Sequence, residues 1–315
     1  LSQRDAPLLL HELQKRHVPA KLLMGPWYHT TAGAGLPAPG VPSIDELQLR
    51  WFDRYVRGSD DPGLSSIGPV LYDRIGEGRF HQAKTWPVPG IQYSRAYIGG
   101  ASTPGTTGTL SSKPGTGGPD VLPWQPASGI CTRSTYIGTF GLAPTSPCET
   151  NDGSNDMTGL TYDMPLTKDL DLTGPMSAHL FVSTSGSDAF LTLHLEDVDP
   201  GGNADEITGG WDTLSFRALD RARSTTIGRD LVPFHPYTRS SVEAISGGKV
   251  YDWWVEIRPS AVRLKAGHRL RLSVQTADAV RFLPTGPKLA AMAGSAVSLY
   301  HDAEHPSYVV LPVTR

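Results

Sequence analysis

Tyr251-Asp252-Trp253-Trp254-Val255-Glu256-Ile257 reads by twos. Tyr251, Trp253, Val255 and Ile257 fall on one face, and Asp252, Trp254 and Glu256 on the other. A strand alternates its side chains with that period, so the stretch predicts a β-strand with one apolar face and one polar face. Two more stretches repeat the pattern: Leu191, Leu193 and Leu195 alternate with Thr192 and His194, and Leu270, Leu272 and Val274 with Arg271 and Ser273. Runs of this kind need one face buried and one wet, as in an antiparallel sandwich. Turn chemistry separates them at Thr173-Gly174-Pro175, Pro200-Gly201-Gly202, Ser246-Gly247-Gly248 and Ala266-Gly267. Of the two tryptophans, one is expected in the core and the other against a neighbouring domain.

Composition agrees. The 315 residues include 34 Gly and 27 Pro but only 19% charged side chains, a balance that favours short strands joined by turns over helices. From about residue 95 to the end the expectation is strands alone, arranged as a jelly-roll β-sandwich, with 99 to 129 a Gly/Pro/Ser/Thr-rich connector.

The first 95 residues have a different grammar. Asp5 is placed to cap a helix with Pro7 in its first turn and Leu9, Leu10 and Leu13 at helical spacing. After Val18-Pro19, Lys21-Leu22-Leu23-Met24 suits a buried parallel strand, ended by Gly25 and Pro26. Ser43 and Glu46 have capping-box spacing ahead of Ile44, Leu47, Trp51 and Tyr55 on one helix face, with Gly58 as its stop. A further strand is expected near Gly68 to Tyr72. The fold class is therefore the last strands and helices of an α/β domain (1–95) followed by an all-β sandwich (96–315).

The net charge of −3 and the lack of a basic run speak against a nucleic-acid or anionic-membrane partner. No apolar stretch approaches the length of a membrane span. Residue 1 is Leu, and LSQRDAPLLL lacks the order of a signal peptide, so the chain is expected to be processed or part of a longer protein. Cys131 and Cys148 share one polar loop region. A disulfide there would close a loop of about 16 residues for roughly 3 kcal/mol, and would imply a secreted or cell-envelope protein. The alternative is two reduced thiols in the cytoplasm.

Chemistry is suggested by Leu23-Met24-Gly25-Pro26-Trp27-Tyr28-His29. In α/β hydrolases the triad runs Ser, acid, His, with the histidine in a loop after the last strand, and His29 follows a buried-type strand and a Gly-Pro turn. An imidazole with a pKa near 6.5 can take a serine proton and return it.

GPWYH resembles the Gly-Pro-Trp-x-His signature around the catalytic histidine of the cocaine esterase and X-prolyl dipeptidyl peptidase family. Leu49 to Gly58 (LRWFDRYVRG), Leu170 to Pro175, Gly210 to Asp220 (GWDTLSFRALD), Ala266 to Leu272 (AGHRLRL) and His301 to Pro306 (HDAEHP) are similar to later segments of that family. The resemblance implies a serine acyl hydrolase acting on a small-molecule ester or amide, or on X-Pro dipeptides. In it His29 is catalytic, Trp27 and Tyr28 line the acyl pocket, and the Cys131–Cys148 loop leans over the site. No cofactor is implied.

The departure is large. No Gly-x-Ser-x-Gly elbow occurs in the sequence, and Asp5, the one early acid, looks like a helix cap. Nucleophile and triad acid are expected in an upstream segment, of the same protein or a separate chain. The competing reading is a non-catalytic jelly roll that binds carbohydrate or protein through Trp211, Trp253 and Trp254, but such a module has no reason to carry GPWYH. No metal site is expected: Asn151, Asp152, Asn155 and Asp156 lack the spacing of a calcium loop, His301 to His305 reads as a strand and turn, and His268 as structural.

Overall fold

The computed structural model describes residues 3–28, 30–143, 146–279, 281–282 and 285–314. At the N-terminus, α1 (Asp5–Lys15) leads into strand β1 (Leu22–Met24), and α2 (Ile44–Tyr55) and α3 (Pro62–Ser66) precede β2 (Val70–Arg74) and β3 (Arg79–Ala83). These strands form a small sheet in which β1 and β2 run parallel and β2 and β3 antiparallel. Ser43 caps α2, its side chain accepting from the Glu46 amide. Asp5 is not a cap. It lies inside the first turn of α1, where a carboxylate complements the helix dipole, and the residue before it, Arg4, pairs with Glu256 at 2.6 Å.

The rest is a large sheet. Its strands are β4 (Gln92–Gly99), β5 (Thr107–Ser111), β6 (Gly117–Pro123), β7 (Leu160–Pro165), β8 (Leu170–Thr184), β9 (Phe190–Val198) and β10 (Ala204–Thr213), then β13 (Tyr251–Leu264), β14 (Arg269–Gln275), β15 (Ala296–His301) and β16 (Tyr308–Thr314), with the ribbon β11 (Thr225–Ile227) and β12 (Asp230–Val232) lying outside it. The order is β10-β9-β14-β7-β5-β4-β16-β8-β15-β6, with β13 also on β8. Leu191, Leu193 and Leu195 of β9 share one apolar cluster with Leu180 and Val182 of β8 and Trp253, Val255 and Ile257 of β13. Strands so far apart in the order can share a core only because the sheet wraps around it. Each large side chain buried there contributes roughly 1.5–3 kcal/mol. The Trp253 Nε1–H is satisfied by Asp212 Oδ2 at 2.8 Å.

Several expectations need correction. The 99–129 stretch contains β5 and β6, which carry no apolar alternation because their inward positions are atypical. Gly108 faces inward, with the Tyr162 ring 2.7 Å from where a Cβ would stand. On β6 the inward Asp120 accepts from the Tyr162 hydroxyl at 2.7 Å and bonds His301 Nε2 at 3.0 Å. The second half is not strands alone: α4 (Arg133–Gly138), α5 (Gly153–Asp156) and α6 (Gly286–Met292) interrupt it. Trp254 lies on the opposite face of β13 from the core Trp253. It stacks on His179 at 4.2 Å and packs with Ile227, Tyr308 and Val310 under the ribbon. Finally, Thr192, His194 and Ser273, expected on a wet face, are fully buried.

The two parts of the chain meet along β13. Ile75 donates to the Ala261 carbonyl and accepts from the Arg263 amide, while Asp171 on β8 binds both Arg263, at 2.6 and 2.7 Å, and Arg74, at 2.9 Å. Among the described residues no helix is long and apolar enough to cross a membrane.

Candidate active-site wall

β1 ends at Met24, and the chain turns at Gly25-Pro26 into Trp27 and Tyr28. Position 25 must be glycine, because the Trp27 indole folds back to within 2.3 Å of where a Cβ would be. The indole is fixed at its other end by Nε1–H donating to the Ala34 carbonyl at 2.8 Å. The Tyr28 amide donates to Thr31 Oγ1 at 3.2 Å. His29 itself is outside the described residues.

Trp27 and Tyr28 wall one side of a cleft of about 320 Å³, with Met24 and Asp73 from the small sheet beside them. Burial raises the Asp73 carboxyl above its usual value. The opposite wall comes from a segment far along the chain: Ile137, Phe140 and Arg281. The Tyr28 and Tyr136 hydroxyls are 3.2 Å apart and their rings meet edge to face at 5.1 Å. That hydrogen bond raises the Tyr136 phenol above its ordinary value. Cys131 and Cys148 are disulfide-bonded, their Cα atoms 4.8 Å apart, so the bridge closes the loop that holds Tyr136 and Phe140.

The base of this loop is hydrogen-bonded throughout. Thr132 caps α4 through the Thr135 amide, Thr135 Oγ1 donates to the carbonyls of Gly129 and Ala279, and Ser134 Oγ donates to Asp278 Oδ2 at 2.6 Å. Tyr136, Phe140 and Arg281 were not singled out from the sequence. The available signal was two aromatic residues between the cysteines of an otherwise polar loop. His301 and His305 do not converge on a common ligand position: the first bonds the buried Asp120 and the second turns to Asp302. His268 bonds Asp197 at 2.7 Å, as a structural histidine does.

A parallel strand pair and a Gly-Pro turn present an aromatic pair to a cleft, and the large β-domain walls that cleft on its other side. Residues 63–310 match the X-Pro dipeptidyl-peptidase C-terminal non-catalytic domain, and the chain belongs to that family. It is 29% identical over 304 residues to a Mycobacterium bovis protein provisionally named a serine esterase, covering 93% of this chain and 45% of that protein. It is 26% identical over 326 residues to the cocaine esterase of Rhodococcus sp. (strain MB1 Bresler), covering 96% and 52%. Two solved structures share the fold. One is an aminopeptidase from a marine sediment archaeon, Thaumarchaeota archaeon (TM-score 0.71, 18% identity, 99% of this chain and 53% of that one). The other is an α-amino acid ester hydrolase (TM-score 0.70, 20% identity, 99% and 53%). The chain thus spans about half the length of the relatives it matches and corresponds to the C-terminal portion of these hydrolases.

Proposed function

We propose that this chain is the C-terminal portion of a serine acyl hydrolase in which His29 is the general base. The observation that carries the reading is the cleft beside β1, where Trp27 and Tyr28 stand immediately before His29 and face the disulfide-closed loop. In the reaction, a serine attacks the acyl carbon while His29 takes its proton. The imidazolium, oriented by a buried acid, then returns that proton to the leaving group as the tetrahedral intermediate collapses. Trp27 and Tyr28 exclude water and bound the acyl group. An ester or amide substrate is preferred to a peptide, since nothing in the sequence speaks for recognition of a free amino terminus.

Serine and acid would come from an upstream segment, and β1 is shaped to receive one. It lies at the edge of its sheet, paired on one side by β2. An apolar groove between β1 and α2, lined by Leu23, Leu47, Trp51 and Phe52, is open to solvent. In this reading residues 1–95 end the α/β-hydrolase domain and 96–315 form the all-β jelly roll, with β4 crossing from one to the other. The disulfide favours a secreted or cell-envelope location.

Active-site labelling tests the proposal. A fluorophosphonate should attach to the complete protein at a serine outside these 315 residues, and should leave the isolated chain unmodified at equal exposure. Stoichiometric labelling of the isolated chain would contradict it.

A further inference from the structure

The buried polar face behind the active-site loop holds a group of side chains that nothing in the proposed mechanism uses. β9 turns Leu191, Leu193 and Leu195 into the core and Thr192, His194 and Glu196 the other way. On that side Asp152 and α5 lie against the strand, and His194 and Glu196 are fully buried. Asp152, at the start of α5, is equally buried and reaches the same spot. One donor atom from each of Asp152, His194 and Glu196 can be chosen so that all lie within 4.8 Å of one another.

These groups are unsatisfied. Neither ring nitrogen of His194, neither oxygen of Glu196, nor Asp152 Oδ2 has a hydrogen-bond partner, and Asp156 Oδ1 beside them is also unpaired. The arginines around the group reach only its edge. Arg271, cross-strand from Glu196, reaches Asp156 and Asp163; Arg133 reaches Asp205 at 2.6 Å; Arg258 lies over the Trp211 ring. Glu206, paired with Glu196 on β10, and Asp278 add negative charge to the same face. Buried carboxylates without partners are costly, and their usual resolution is protonation or a bound cation.

We propose that Asp152, His194 and Glu196 form a structural site for a divalent first-row transition metal, zinc by preference, with Asp156 as a further oxygen donor. One donor pair has a spacing that a metal could bridge. His194 Nδ1 stands 3.5 Å from Asp152 Oδ2, long for a hydrogen bond and close to the roughly 3.3 Å edge of a tetrahedron with metal–ligand distances near 2.0–2.1 Å. On the other side of the ring, Nε2 faces the Asp278 carboxylate at 3.9 Å, the placement of an outer carboxylate behind a metal-bound imidazole. An imidazole with two carboxylates suits zinc or manganese, whereas calcium takes oxygen ligands only.

The site would join Asp152 and α5 to β9, and Asp152 in turn accepts from the Arg133 amide at the start of α4, the helix that carries Tyr136. The test uses the protein expressed without a histidine tag and purified without chelators. Elemental analysis should find about one zinc or manganese per chain, and protein refolded with zinc should melt at least about 5 °C above protein refolded with EDTA. The D152N/E196Q variant should bind no metal and show no zinc-dependent rise. Should that variant fail to fold, the wild-type metal content and melting pair decide alone. Under about 0.1 equivalent of any transition metal, with melting indifferent to zinc and manganese, overturns the proposal in favour of a proton-sharing carboxylate network. A response to calcium alone overturns it as well.

Discussion

Gly25 is the residue on which the cleft wall depends most simply. A methyl group there would sit 2.3 Å from the Trp27 indole, so G25A must drive the indole off its place. The expected cost is about 1–3 kcal/mol of stability, typical of overpacking. Ester turnover in the complete enzyme should fall together with the loss of Trp27 fluorescence protection from an aqueous quencher. A variant with unchanged melting and unchanged quenching would show that the indole is not held as described. At this scale the sequence was informative where chemistry and backbone coincide: Gly25, Pro26, Trp27 and Tyr28 announced a turn carrying aromatic residues. Asp152, His194 and Glu196 did not announce a cluster. They are spread over 45 positions (196 − 152 + 1), and His194 alternates with leucines in just the way a water-facing residue does. Only the covering segment, which has no periodicity, makes that face an interior.

Among elements, the ion cluster that ties β2 to β8 and β13 and the disulfide-closed loop carry the clearest expectations. Hydrogen bonds from Arg263 hold the Asp171 carboxyl below its ordinary value, with Arg74 adding to the effect. A carboxyl lowered on folding binds fewer protons in the native state than in the unfolded one. Its contribution is therefore complete above the ordinary Asp pKa near 3.9 and is lost as pH falls through the lowered native value. D171N should cost about 2–3 kcal/mol near neutral pH, since it leaves two arginines facing a neutral amide, and progressively less below about pH 4. Denaturant melts at pH 7 and pH 3 measure the difference, and an equal cost at both would contradict the assignment. For the loop, peptide mapping without reductant should recover Cys131 and Cys148 as one cross-linked pair, and C131A/C148A should lose roughly 2–4 kcal/mol. Two free thiols in the native protein would remove the argument for export and leave the cleft geometry untouched. The strands β9, β13 and β14 were legible because leucine, valine and tryptophan fill their inward positions; β5 and β6 were not, because Gly108 and Asp120 fill theirs.

For the whole molecule, the fold places two unlike parts on either side of one cleft: a small sheet with an open edge strand, and a sheet wrapped around its own core that sends the Cys131–Cys148 loop back across the site. The chain spans about half the length of the relatives it matches, so the proposed mechanism draws one catalytic group from it and two from outside it. Catalysis by His29 is the central claim, and the most direct measurement is the turnover of a p-nitrophenyl ester by the complete enzyme carrying H29A. A triad histidine removed in this way should lower kcat by about 10⁴-fold or more, with the melting temperature unchanged. A variant that keeps a tenth of the wild-type kcat would mean that another group moves the proton and that the assignment of this histidine is wrong.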